Sequence, residues 1–132
     1  MEKKARILLV DDDVDFVEAT KIVLESRPYE VIVAYEGDEG LRKAKEEKPD
    51  LVLLDVIMPV KDGFTAAEQF KKDPQLSKIP VIMLTSYSSR RAGTSIPVGR
   101  GLELEAEDYV EKPISPEDLL SRVEKYLKRA GS

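Results

Sequence analysis

In this 132-residue chain Asp11-Asp12, Asp55 and Thr85 each stand at the end of a short aliphatic run, and Lys112 at the end of a strand-like one. Ile7-Leu8-Leu9-Val10 leads into the acid pair and Leu51-Val52-Leu53-Leu54 into Asp55. Val81-Ile82-Met83-Leu84 leads into Thr85, and Tyr109-Val110-Glu111 into Lys112. Carboxylates are what a hard divalent cation takes as ligands, and a hydroxyl and an ammonium suit phosphoryl oxygens. In open parallel α/β sheets, ligands bind outside the carboxyl ends of the strands, so such a set would converge on one rim. Taken singly, most of these residues have plainer readings. An acid pair after a strand is often a helix N-cap, and Asp13 or Asp15 offers the same service here. Thr85 alone is a strand-end residue, Lys112 alone a solvated lysine, and Tyr109 alone a half-buried packing aromatic. Asp55 is different, because a carboxylate behind four buried aliphatics needs a charged partner. It is the joint occurrence, in order, that points to function.

The elements that must position these residues are legible from apolar spacing. Runs at 6–10, 30–34, 51–55, 79–85 and 108–111 have strand length and strand composition. Three of them are nearly continuous in apolar residues, as parallel strands covered on both faces require. Between them the period changes to that of a helix. In 14–26, Phe16, Val17, Thr20, Val23 and Leu24 form one stripe, and Leu119, Leu120, Val123, Tyr126 and Leu127 repeat the spacing in 116–129. Ser115-Pro116-Glu117-Asp118 supplies that last helix with an N-cap, a first-turn proline and early acids. Leu41 and Ala44 define a second helix closed by Lys48-Pro49; Phe64, Ala67 and Phe70 define a third that ends before Asp73-Pro74. Strand and helix alternate, which predicts right-handed crossovers and a doubly wound sheet. Residues 86–107 break the rhythm: Gly93, Pro97, Gly99 and Gly101 are poor helix interiors and no apolar period runs through them. The expectation there is a loop, with at most a short helical turn near Leu102–Ala106.

Composition narrows the function classes. An apolar fraction of 42% with 36% charged residues reads as soluble and globular, and the length suits a single domain, 1–132. No apolar run approaches a membrane span and no signal-peptide core follows Met1, so no membrane association and a cytoplasmic location are expected. Without Cys there is no disulfide, thiolate metal site or Cys nucleophile; without His there is no imidazole base. A net charge of −5 argues against nucleic-acid binding by this chain. Two motifs fail on inspection. Asp11-x-Asp13-x-Asp15 imitates an EF-hand loop, but Phe16 and Ile22 stand where Gly and Glu are needed. No Gly-rich phosphate loop ending in Lys-Ser/Thr occurs.

With Met58-Pro59 and Asp62-Gly63 following Asp55, and Lys112-Pro113 near the end, the ordered set resembles the receiver domain of two-component response regulators. The resemblance covers residues 6–85 and 108–130 well and the stretch between poorly. It implies a flavodoxin-like, five-stranded parallel sheet in the order 2-1-3-4-5, with the fourth helix shortened or replaced by a loop. It implies Mg²⁺ held by Asp12 and Asp55 directly, by Asp11 through water, and by the main-chain carbonyl of Ile57. Asp55 would be the phosphoacceptor, attacking a phosphoryl group on the histidine of a sensor kinase or phosphotransfer protein. Lys112 would pair with Asp55 before transfer and with a phosphoryl oxygen after it, aimed by a cis bond at Pro113. Thr85 would donate its hydroxyl to the phosphoryl group, and its movement would let Tyr109 turn inward, switching a surface that binds a downstream protein target. The chain would phosphorylate and dephosphorylate itself without turning over an external substrate. Homodimers are common for such domains and are allowed here.

Two alternatives belong to other classes. One is a phosphorelay carrier without conformational output. The other is a phosphatase resembling the haloacid dehalogenase group, with Asp11 as nucleophile and Asp13 as acid/base; it leaves Asp55, Met58-Pro59 and Lys112-Pro113 unexplained. The chain also departs from the family. Ile57 and Tyr87, two residues past Asp55 and Thr85, carry neither carboxylate nor amide to orient an attacking water. Slow intrinsic dephosphorylation is therefore expected, to be compared with an Ile57→Asn, Tyr87→Glu variant. The 86–107 segment implies that partners docking on the usual fourth-helix face would engage it differently.

Overall fold

The computed structural model describes residues 4–55, 69–86, 108–112 and 114–131. Its elements are β1 (Ala5–Val10), α1 (Val14–Glu25), β2 (Tyr29–Ala34), α2 (Gly37–Glu47), β3 (Leu51–Asp55), β4 (Val81–Ser86), β5 (Asp108–Lys112) and a C-terminal helix (Pro116–Gly131). Residues 69–72 are also helical, and that segment stops at Asp73 as expected. The five strands form one parallel sheet in the order β2-β1-β3-β4-β5, the expected flavodoxin-like arrangement. The expectation for the fourth helix concerns residues outside those described, as do Ile57 and Tyr87.

Alternation along the strands divides the core in two. Leu8, Val10, Val52, Leu54, Val81 and Met83 pack on one face with Ala34, Ala44, Phe70 and Leu76. Ile7, Leu9, Leu51, Leu53, Ile82 and Leu84 pack on the other with Val17, Leu24, Leu119, Val123 and Tyr126. Every described residue of β3 is buried, so this strand is covered on both sides. Each large aliphatic so buried contributes roughly 1.5–3 kcal/mol. The helix stripes meet these faces as their spacing requires: Val17, Thr20 and Leu24 of α1 are buried, while Ile22 stays exposed.

Local signals end the helices where the residues dictate. Asp13 caps α1, its carboxylate accepting the Phe16 N–H at 3.1 Å. Ser115 caps the C-terminal helix, its hydroxyl accepting the Asp118 N–H at 3.1 Å. Lys48 closes α2 in the left-handed region with φ of 50°, and Pro49 prevents continuation. Beyond that turn, Asp50 and Arg6 exchange two hydrogen bonds: Asp50 N–H reaches the Arg6 carbonyl and Arg6 N–H the Asp50 carboxylate. The Arg6 guanidinium contacts the Glu47 carbonyl and carboxylate, tying the start of β1 to the end of α2.

Candidate cation and phosphoryl-acceptor site

β1 ends at Val10, and the next residue, Asp11, is held by its backbone. Its N–H donates to the Ala34 carbonyl at 3.0 Å, extending the β1–β2 ladder one step past the strand. Its carboxylate accepts the Asp13 N–H at 3.0 Å, a short loop that turns the chain toward α1. Asp11 is thereby fully buried, whereas Asp12 is exposed. Asp55 is the last residue of β3 and lies only 5% exposed, in line with Leu51 and Leu53 on the α1 face. The sheet order sets β1 beside β3, with Val10 level with Leu54. One carboxylate oxygen from each of Asp11, Asp12 and Asp55 therefore falls within 4.8 Å of the other two.

These residues fit a hard divalent cation. An octahedral ion with oxygens at about 2.1 Å sets neighbouring ligands about 3 Å apart and opposite ones about 4.2 Å apart. The cluster is close to that span, with room for a water to stand in for one direct bond. Two buried carboxylates side by side repel in a medium of low dielectric, and a dication offsets that repulsion. No comparable group of acids occurs among the described residues.

The remaining predicted residues are placed by the backbone. β3 and β4 pair with Asp55 level with Leu84, so Thr85 stands one residue further along its strand. β4 and β5 pair with Thr85 level with Glu111 and Ser86 level with Lys112. Tyr109 sits level with Met83, lower on β5. Thr85 and Lys112 thus occupy the C-terminal ends of strands on the same rim as the acids. Ile57 and Pro113 lie outside the described residues. Sequence reasoning did find the acids but missed the backbone anchor from Ala34; a carbonyl leaves no trace in residue type.

A family model, the response regulator receiver domain, matches residues 7–124. The transcriptional regulatory protein PhoP for alkaline phosphatase synthesis in Bacillus subtilis is 40% identical over 130 residues, covering 98% of this chain and 50% of that protein. The DNA-binding response regulator MtrA of Mycolicibacterium paratuberculosis is 36% identical over 126 residues, covering 96% and 52%. The chain spans about half the length of these curated relatives. Among solved structures, a CheY-like receiver domain protein from Methanospirillum hungatei superposes with a TM-score of 0.84 at 32% identity, covering 98% of both chains. The chemotaxis response regulator CheY4 of Vibrio cholerae superposes with a TM-score of 0.80 at 30% identity, covering 94% of this chain and 99% of that one.

Proposed function

The chain belongs to the response regulator receiver domain family, and from that premise we propose that Asp55 is its phosphoacceptor and that phosphorylation switches a protein-binding surface. The observation that carries this reading is the convergence of Asp11, Asp12 and Asp55, two of them buried, at the carboxyl rim of the sheet. Asp12 and Asp55, with Asp11 through water and the Ile57 carbonyl, would hold Mg²⁺. Such an ion, when bound, neutralises the clustered acids and polarises phosphoryl oxygens. An Asp55 carboxylate oxygen attacks the phosphorus of a phosphohistidine on a sensor kinase or phosphotransfer protein. The P–O bond forms as the P–N bond breaks, and the electron pair leaves with the imidazole nitrogen. Lys112 neutralises charge on the transferred group, and Thr85 donates its hydroxyl to it. Positioning and charge stabilisation are most of what this chemistry asks of a protein.

The chain is then a signalling domain rather than an enzyme acting on an external substrate. Its partners are the phosphoryl donor and a downstream protein, in the cytoplasm; a second copy of the chain is a further candidate. No helix among the described residues is long and apolar enough to cross a membrane. The relatives PhoP and MtrA are a transcriptional regulator and a DNA-binding response regulator. The corresponding role here is control of such an output, with this acidic chain not itself the nucleic-acid surface. The phosphatase reading is disfavoured by Asp13, whose carboxylate is engaged in capping α1 and does not join the cluster.

Intact mass after brief exposure to acetyl phosphate and Mg²⁺ tests the assignment. One added phosphoryl group is expected, absent when Mg²⁺ is chelated beforehand and absent in Asp55→Asn. An adduct that persists in Asp55→Asn would instead assign the nucleophile to Asp11.

A further inference from the structure

β2 is an edge strand, so its backbone groups point alternately toward β1 and toward the open side. The Ala34 carbonyl points inward, to the Asp11 N–H at 3.0 Å. The Val33 carbonyl accepts a hydrogen bond from Lys43 Nζ at 2.6 Å. The same ammonium lies 3.2 Å from the Glu39 carboxylate, one turn earlier on α2. Glu39 Oε1 in turn accepts the Tyr35 N–H at 2.8 Å. The two residues that flank Ala34 are therefore gripped from outside by one ion-paired couple, while Ala34 itself holds Asp11 from inside. Gly40, between Glu39 and Lys43, adds a second tie. A Cβ there would come within 2.8 Å of Val10 Cγ2, so the helix lies flush on the residue preceding the acid pair.

A plainer account is that Lys43 only blunts an exposed sheet edge. That does not explain Glu39, whose bond to Tyr35 lies beyond the last residue of β2. We propose that Glu39 and Lys43 are positioning residues for the Asp11-Asp12 arm of the cation site, acting through Ala34 and touching neither acid. The inference rests on the reading of the site given above. Acids that repel one another must be held together before an ion arrives, and holding them in advance strengthens binding. The Tyr35 N–H also keeps the Glu39 carboxyl below its ordinary pKa, helped by Lys43, so the latch is charged at neutral pH.

The test uses the whole chain as wild type, Lys43→Met, Glu39→Gln and Lys43→Arg, with Leu127→Ala as a remote destabilised control. Two quantities are read: hydrogen exchange of the Asp11 amide without metal, and Mg²⁺ affinity by calorimetric titration. Exchange at Asp11 is expected to be about tenfold faster in Lys43→Met and Glu39→Gln, as a local opening. Mg²⁺ affinity is expected to fall about tenfold in both, as for other groups that orient ligands, and to recover to within about twofold in Lys43→Arg. Leu127→Ala should lower thermal stability and leave Mg²⁺ affinity unchanged. Unaltered affinity in Lys43→Met and Glu39→Gln, with a wild type that binds, would overturn the inference alone, as would an equal loss in Leu127→Ala. A wild type that binds no Mg²⁺ would overturn the reading of the site, and this inference with it.

Discussion

At the scale of the residue, three acids are asked to share a few ångströms, and their differences in burial divide the work. Asp11 and Asp55 are sequestered and Asp12 faces solvent, so Asp12 is the acid that an entering ion would meet first. Binding to the folded state alone stabilises it by mass action, by about 2.7 kcal/mol at a hundredfold excess over Kd. Mg²⁺ should therefore raise the Tm of the wild type, and Asp12→Ala should lose most of that increment, as calorimetric melting with and without chelator would show. Asp13 takes the N-cap role that its place before the first helix suggested. It shares the acid run with Asp11 and Asp12, yet its carboxylate is engaged with the Phe16 N–H.

At the scale of the element, the two ends of α2 carry a backbone strain and an acid response. Lys48 adopts a left-handed conformation at the end of α2, which disfavours any residue with a Cβ by roughly 1–2 kcal/mol. Lys48→Gly should therefore raise stability by about 1 kcal/mol in urea unfolding. The turn from β2 into α2 responds to acid instead. The Tyr35 N–H, aided by Lys43, lowers the Glu39 pKa from its ordinary value of 4.5. A carboxyl whose folded pKa is depressed adds stability above its unfolded pKa and loses it as pH falls through the folded one. Stability measured downward from pH 5 should fall less steeply in Glu39→Gln than in the wild type.

At the scale of the whole molecule, the sheet is the frame that turns a local charge change into a surface change. Thr85 and Lys112 stand toward the ends of β4 and β5, which pair directly, so a phosphoryl group that drew on both, as proposed, would act on adjacent strands. Couplings of this kind amount to about 1–3 kcal/mol, enough to alter a docking surface and too little to unfold a domain. Phosphorylation should therefore shift amide resonances along β4 and β5, Tyr109 included, beyond the residues nearest Asp55. Shifts confined to the neighbourhood of Asp11, Asp12 and Asp55 would favour a phosphorelay carrier without conformational output.

The period of the apolar residues already determined much of this. Leu51 to Leu54 have the length and composition of a strand covered on both faces, and Phe16, Val17, Thr20, Val23 and Leu24 the spacing of a helix laid on one. Asp11, Asp12 and Asp55 were legible as a site because strand-end acids in a parallel sheet must share a rim. Lys48-Pro49 and Ser115-Pro116 announced their helix ends through backbone preferences that each residue carries by itself. What only the tertiary structure decided is how closely the acids meet and what holds them. One carboxylate oxygen of each of Asp11, Asp12 and Asp55 falls within 4.8 Å of the other two. Ala34 anchors Asp11 through a carbonyl that any residue would possess, and Glu39 and Lys43 spend their ion pair on β2 rather than on a solvated helix face. Period and propensity are properties of neighbours in the chain, whereas carbonyl acceptors and long charged side chains find partners only once distant segments are packed.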